Sequence, residues 1–203
     1  MCAHFIIIPQ DELERIIADI RSALQAERRG DAAILYDHAY PKSRVPILTG
    51  ENGHPEIHDM HWGYQVSWQN EVMFNAKIET ALGKKPNMWD NSIQRRRCVV
   101  PSFGFYEPHM KDTHISPKTG RPVKDQYRFR LPGNDILWMA GIYEDRNFSV
   151  MTTAPNGWVK PVHARMPVVL RPDELDVWLY GDYPSLANRD KVELTAHNTS
   201  KAA

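Results

Sequence analysis

The sequence predicts an α+β fold in which mostly antiparallel sheets curve into a partly open barrel flanked by helices. Three observations carry this reading. Strand-like stretches outnumber helical ones. They follow one another across turn signals such as Glu144-Asp145-Arg146-Asn147, rather than alternating with helices as a parallel sheet requires. No repeat, low-complexity tract or linker divides the 203 residues, a length that suits a single domain over 1–203 with a sizeable core.

A helix is predicted from Pro9 to Arg29. Asp11 can cap it, with Glu14 three residues on in capping-box position. Leu13, Ile16, Ile17, Ile20 and Leu24 recur on one face at helical spacing. Arg28 and Arg29 suit the negative end of the helix dipole, and Gly30 suits its C-cap. A short strand is expected over Ala32 to Tyr36. Prolines bar helix between Ala39 and Leu48 and leave an extended segment. Thr49-Gly50-Glu51-Asn52-Gly53 is a turn cluster. Glu56 to Trp62 alternates like a half-buried strand. His54, His58 and His61 match no common zinc spacing, so no metal is expected there.

Arg97 to Pro101 reads as a buried strand in which Cys98 is an inert core thiol. Lys111 to Lys124 reads as a polar loop, on its Ser116-Pro117 and Thr119-Gly120 signals. Strands follow at Gln126 to Leu131, Ile136 to Tyr143 and Phe148 to Thr153. Pro132-Gly133-Asn134-Asp135 and Glu144 to Asn147 supply the hairpin turns between them. Pro172 to Leu175 starts a second helix, which buries Trp178 and Leu179 and closes at Gly181. Lys191 onward reads as a weak strand or a tail.

Composition narrows the function classes. The hydrophobic share of 42% and charged share of 25% are ordinary for a globular protein. Two cysteines suggest a reducing compartment rather than a disulfide framework. Phe5 to Ile8 is too short for a secretory signal, and no run reaches membrane-spanning length. A cytoplasmic protein is expected. Net charge is zero, so a global basic footprint for nucleic acid is missing. Between Lys77 and Arg97, however, six bases face two acids, a local basic face suited to a few phosphates. Trp62 and Trp68 lie near that stretch and can either stack unpaired bases or fill the core.

Cys2 is the chemically distinctive residue. Removal of Met1 would leave a thiol and a free α-amine on adjacent carbons. Such a pair can capture an aldehyde: the amine forms an imine, and the thiol closes on it to give a thiazolidine. The α-amine has a reference pKa of about 7.7–8.0 against about 10.4 for lysine, so far more of it is neutral near pH 7. Two other features are unusual. Glu107 is a carboxylate inside the apolar, aromatic run Phe103 to Pro108, a costly position without a partner or a task. His163 and Arg165 stand just before a buried strand.

These residues, taken in order, resemble one family. Cys2, Trp62-Gly63, Asn75 to Thr80, Arg97 to Pro101, Gly104 to Glu107 and His163 to Pro167 together resemble the SOS response-associated peptidase family of abasic-site processing proteins. The resemblance covers nearly the whole chain. It implies a covalent crosslink between the N-terminal cysteine and the aldehyde of an abasic site in single-stranded DNA. It implies lyase-type crosslinking chemistry, with cysteine peptidase activity alongside. It also implies a cytoplasmic monomer, associated with the nucleoid when on damaged DNA, with no cofactor, no metal and no membrane.

Residue roles follow from the same resemblance. Cys2 is the nucleophile. Asn75 hydrogen-bonds at the Cys2 terminus or an adjacent phosphate. Glu107 positions the amine and shuttles protons, and His163 is a general acid. Arg165 holds a phosphate, while Lys77, Lys84, Lys85, Trp68 and His4 are candidate strand contacts. Three positions depart from the family pattern. Cys2-Ala3-His4 replaces Cys-Gly-Arg, Lys77 replaces an arginine and loses its bidentate fork, and Pro108 replaces a tryptophan. Two other readings remain: an N-terminal-nucleophile thiol peptidase or amidase, and a non-catalytic single-strand binding module.

Overall fold

The computed structural model describes residues 2–22, 38–50, 53–133 and 136–200. The chain begins with β1 (Phe5–Ile7), α1 (Gln10–Ser22), β2 (His38–Ala39), β3 (Arg44–Thr49) and β4 (Glu56–Trp62). Next come β5 (Asn75–Lys77), α2 (Ile78–Ala81), α3 (Asp90–Arg95), β6 (Arg97–Ile115) and β7 (Pro122–Arg130). The remainder is β8 (Leu137–Glu144), β9 (Asn147–Thr153), β10 (Met166–Pro167), β11 (Val169–Leu170), α4 (Leu175–Tyr180) and β12 (Thr195–Asn198).

The expected α+β barrel is present, and its ring closes. Neighbours run β8-β9-β4-β3-β6, and β6 pairs back onto β8. Among the described residues all strand pairings are antiparallel except β4 with β9 and β5 with β9. Closure rests on the length of β6, whose 19 residues serve several neighbours in turn. Its first part pairs with β8 up to Ser102↔Leu137 and with β3 at Cys98 and Val99. Its second part pairs with β1 and, from Phe105↔Phe129 on, with β7.

Gly104 stands at this change of partner, with φ at +145°. A Cβ there would lie 2.7 Å from the Phe129 carbonyl oxygen. Only glycine meets both conditions without strain. Gly104→Ala is expected to destabilise the fold by about 2–3 kcal/mol through backbone strain alone. A lowered midpoint of chemical denaturation with unchanged slope would verify this.

Two cores follow from the two faces of the strands. Val45, Ile47, Met60, Trp62, Val100, Met139, Phe148 and Val150 share one cluster. Leu48, Val99, Ala140 and Ile142, on the opposite face, pack with helix residues Leu13, Ile78, Ile93 and Trp178. The helices lie outside the ring, so the first cluster fills the barrel and the second covers its wall. With both faces covered, β8 is buried from Leu137 to Tyr143 and reads as a continuous apolar run.

Several expectations are corrected. The first helix begins at Gln10, ahead of Asp11, so Asp11 lies in the first turn rather than at the cap. Glu14 accepts from Gln10 Nε2 at 2.9 Å. The polar stretch from Lys111 to Lys124 is largely strand: β6 runs to Ile115 and β7 starts at Pro122. It carries polar side chains on both faces, so it shows no alternation. The expected strand at Ala32 to Tyr36, the helix end at Leu24 to Gly30, and Asn134-Asp135 lie outside the described residues. So do Glu51, Asn52 and Lys201, and the Ile17 and Ile20 side chains. The turn at Asp145-Arg146, the helix ending at Gly181 and a terminal strand paired with β7 are as expected. Among the described residues no helix is long and apolar enough to cross a membrane.

Candidate active site

Cys2 lies three residues ahead of the start of β1, which β6 holds through Phe5↔Phe105, and the Tyr106 amide donates to the His4 carbonyl at 2.9 Å. The residue is fully buried against the barrel cluster. Burial pushes the Cys2 thiol up, and the negative charge of Glu107 pushes it the same way. Its Sγ donates weakly to the His4 carbonyl at 3.8 Å. Asn75 opens β5 and donates through Nδ2 to the Cys2 carbonyl at 2.8 Å. Its Oδ1 is buried and takes no hydrogen bond among the described residues.

Glu107 lies on β6, completely buried, opposite Tyr127 of β7. Burial lifts its carboxyl to about 7. Its Oε2 stands 3.4 Å from His163 Nδ1. The imidazole is pushed down by its own burial, against an opposing hydrogen bond with the Arg165 carbonyl at 3.0 Å. The Arg165 amide also donates toward Nδ1, at 3.3 Å. Four of the residues singled out in the sequence thus converge: a thiol, an amide, a carboxyl and an imidazole from four separate strands and loops.

The expected DNA contacts divide. Lys77 and Asn75 line an open cleft of about 350 Å³ with Gln69, Phe74, Thr80 and Trp89. Trp68, beside it in sequence, is 65% exposed, whereas Trp62 is core. Lys84 and Lys85 are exposed beyond α2. Arg165 is already engaged. Its Nη1 and Nη2 each donate to Glu79 at 2.9 Å, and Nη2 also donates to the Thr152 carbonyl at 2.7 Å. His4 stacks between Tyr40 and Tyr106, with centroids 4.6 and 4.3 Å away, and contacts His38. Burial lowers it to about 4, so it brings no positive charge at neutral pH. Among the described residues no cluster of three metal-ligating side chains exists.

Sequence reasoning missed Thr152 and Glu79 as partners of Arg165. It also missed the stack of His38, Tyr40 and Tyr106 around His4. No local pattern announces these pairs, because strand register alone brings them together.

The fold is a closed, mostly antiparallel barrel that brings an amide, a carboxyl and an imidazole together near the thiol of residue 2. A sequence model of the SOS response associated peptidase (SRAP) family matches residues 1–202, and the chain belongs to that family. Over 153 residues it is 28% identical to the abasic site processing protein YoqW of Bacillus subtilis, covering 68% of this chain and 64% of that one. It is 31% identical, over 153 residues, to the abasic site processing protein YobE of the same organism, covering 68% of this chain and 65% of that one. The chain therefore spans just under two thirds of the length of these curated relatives. A crystal structure from Bacteroides thetaiotaomicron shares the fold with a TM-score of 0.66 at 23% identity, over 97% of this chain and 91% of that one. A second, from Bordetella bronchiseptica, gives 0.69 at 16%, over 98% and 99%.

Proposed function

We propose that the chain processes abasic sites in single-stranded DNA by trapping them covalently, as one monomeric domain, with Cys2 as the attacking residue. The observation that carries this reading is the convergence of Cys2, Asn75, Glu107 and His163. Removal of Met1 frees the Cys2 α-amine. Ring opening of the sugar hemiacetal exposes an aldehyde. The amine adds to its carbon and water leaves, giving an imine. The thiol then adds across the C=N bond: sulfur binds carbon, the nitrogen gains the proton, and a thiazolidine results.

Each neighbour has a step. Asn75 fixes the Cys2 carbonyl and offers Oδ1 to the amine. Glu107, titrating near 7, takes the ammonium proton and returns one to the departing hydroxyl. His163 supplies a proton for opening the sugar ring, through Nε2. A thiol pushed up by burial is a poor thiolate donor. That disfavours a cysteine peptidase, which needs the thiolate, more than it disfavours a reaction opened by the amine.

The test is a denaturing gel of Met1-free protein with single-stranded abasic DNA. A heat-stable shifted band is expected, with none from a chain that keeps Met1, in which Cys2 is fully buried and carries no free amine. Absence of the band with the Met1-free chain, while intact strand still binds, overturns the proposal. His163→Ala is expected to slow adduct formation by about 10²-fold, the ordinary share of one general acid. Single-turnover time courses measure it.

A further inference from the structure

Phosphates need cations that are not already paired. Arg165 gives both terminal nitrogens to Glu79. Four other cations belong to the outer part of the β6–β7 hairpin. Lys111, Lys118, Arg121 and Lys124 are all exposed, and none pairs with a carboxylate among the described residues. The acids nearby are committed elsewhere: Asp112 pairs with His109 at 3.5 Å and buried Asp125 with His114 at 2.9 Å.

This hairpin is rooted in the active site. Glu107 and Tyr127 are register partners at its base. The Met110 amide donates at 2.9 Å to the carbonyl of Val162, the residue before His163. Lys124 is close enough for its charge to act on His163. Beyond the register shift between Pro108 and Thr113, the ribbon pairs Thr113↔Lys124, His114↔Val123 and Ile115↔Pro122. Strand alternation puts Ile115 on the same ribbon face as Lys124. Ile115 is 63% exposed. An apolar side chain beside unpaired cations suits a base and its phosphate.

We propose that residues 109–124 form a DNA-binding arm, in which Lys124 and Arg121 contact phosphates of the strand flanking the lesion and Ile115 packs on a base. The position of the strand rests on the reading of Cys2 given above.

The test uses the full chain carrying Cys2→Ala and a labelled intact single-stranded oligonucleotide, which offers no aldehyde to trap. Affinity is measured across a salt series, with and without Lys124→Glu and Arg121→Glu. Two lost phosphate contacts lower the slope of log K against log salt by about 1.4, at about 0.7 per contact on single strands. A Lys124→Arg, Arg121→Lys chain keeps the charge and keeps the slope. An unchanged slope in the charge-reversed chain overturns the arm. Adduct formation is scored separately with Cys2 intact. No adduct together with a reduced slope rejects the Cys2 reading and leaves the arm standing; a normal adduct with an unchanged slope rejects the arm alone.

Discussion

Cys2→Ala is expected to abolish the heat-stable adduct while leaving a weaker covalent one. Alanine at position 2 keeps the α-amine, so the imine still forms. It lacks the sulfur that closes the ring. An imine hydrolyses on heating, whereas a thiazolidine holds carbon through both nitrogen and sulfur. The variant should therefore show no band after boiling, but a band after borohydride reduction. An imine also acidifies the neighbouring carbon, so prolonged incubation should cut the strand by β-elimination. The three readings of Cys2 separate here. A non-catalytic binder gives no covalent product in either chain. A thiol hydrolase loses hydrolysis with Cys2→Ala but keeps it when Met1 stays on. A trap built on amine and thiol together loses its heat-stable product in both cases. A boiled Cys2→Ala sample that retains the wild-type band would sink the ring-closure step.

Much of the fold was legible because its signals are local. Asp145, at φ 52°, and Arg146 join β8 to β9 in a tight hairpin, and that turn reads directly from Glu144 to Asn147. The α4 helix was legible from Pro172 and Gly181. Failures fell where the deciding contact is distant in sequence. Nothing near Lys111 tells that β6 continues outward, since both faces of that ribbon are solvated and the period-2 pattern vanishes. The α2 and α3 helices, of 4 and 6 residues, are too short to show helical periodicity. The site behaved the same way. Glu107 stood out as a carboxylate in an aromatic run, and its burial matches that cost. Arg165 looked available for phosphate because its partner Glu79 lies 86 residues away. The parallel register of β5 on β9 positions Thr152 beside Lys77 and within reach of Arg165, and no sequence window contains both strands.

Glu107→Gln is expected to stabilise the protein near neutral pH while removing most of its reactivity. Burial raises this carboxyl from 4.5 to about 7. Between those values the folded chain binds more protons at Glu107 than the unfolded chain does. The contribution of Glu107 to stability is therefore fully present below about 4.5 and is lost as pH rises to about 7. The loss amounts to about 3 kcal/mol, at about 1.4 kcal/mol per pH unit. Glutamine has no such titration, so the variant's advantage over wild type in melting temperature should grow across this window and level off above pH 7. His4, lowered to about 4, acts in the opposite sense in both chains and cancels in the difference. Reactivity should move the other way. In the wild type the trapping rate rises with the ionised carboxylate, with a midpoint near 7. The variant should be slower by about 10²-fold or more. Its remaining pH dependence should follow the α-amine alone, with a midpoint near 7.7–8.0. A variant with an unchanged rate midpoint would mean that Glu107 moves no proton in the reaction. A variant with an unchanged melting profile would mean that the carboxyl is not strained by burial. If both shifts occur together, the costly burial of one carboxyl is what tunes it to neutral-pH proton transfer.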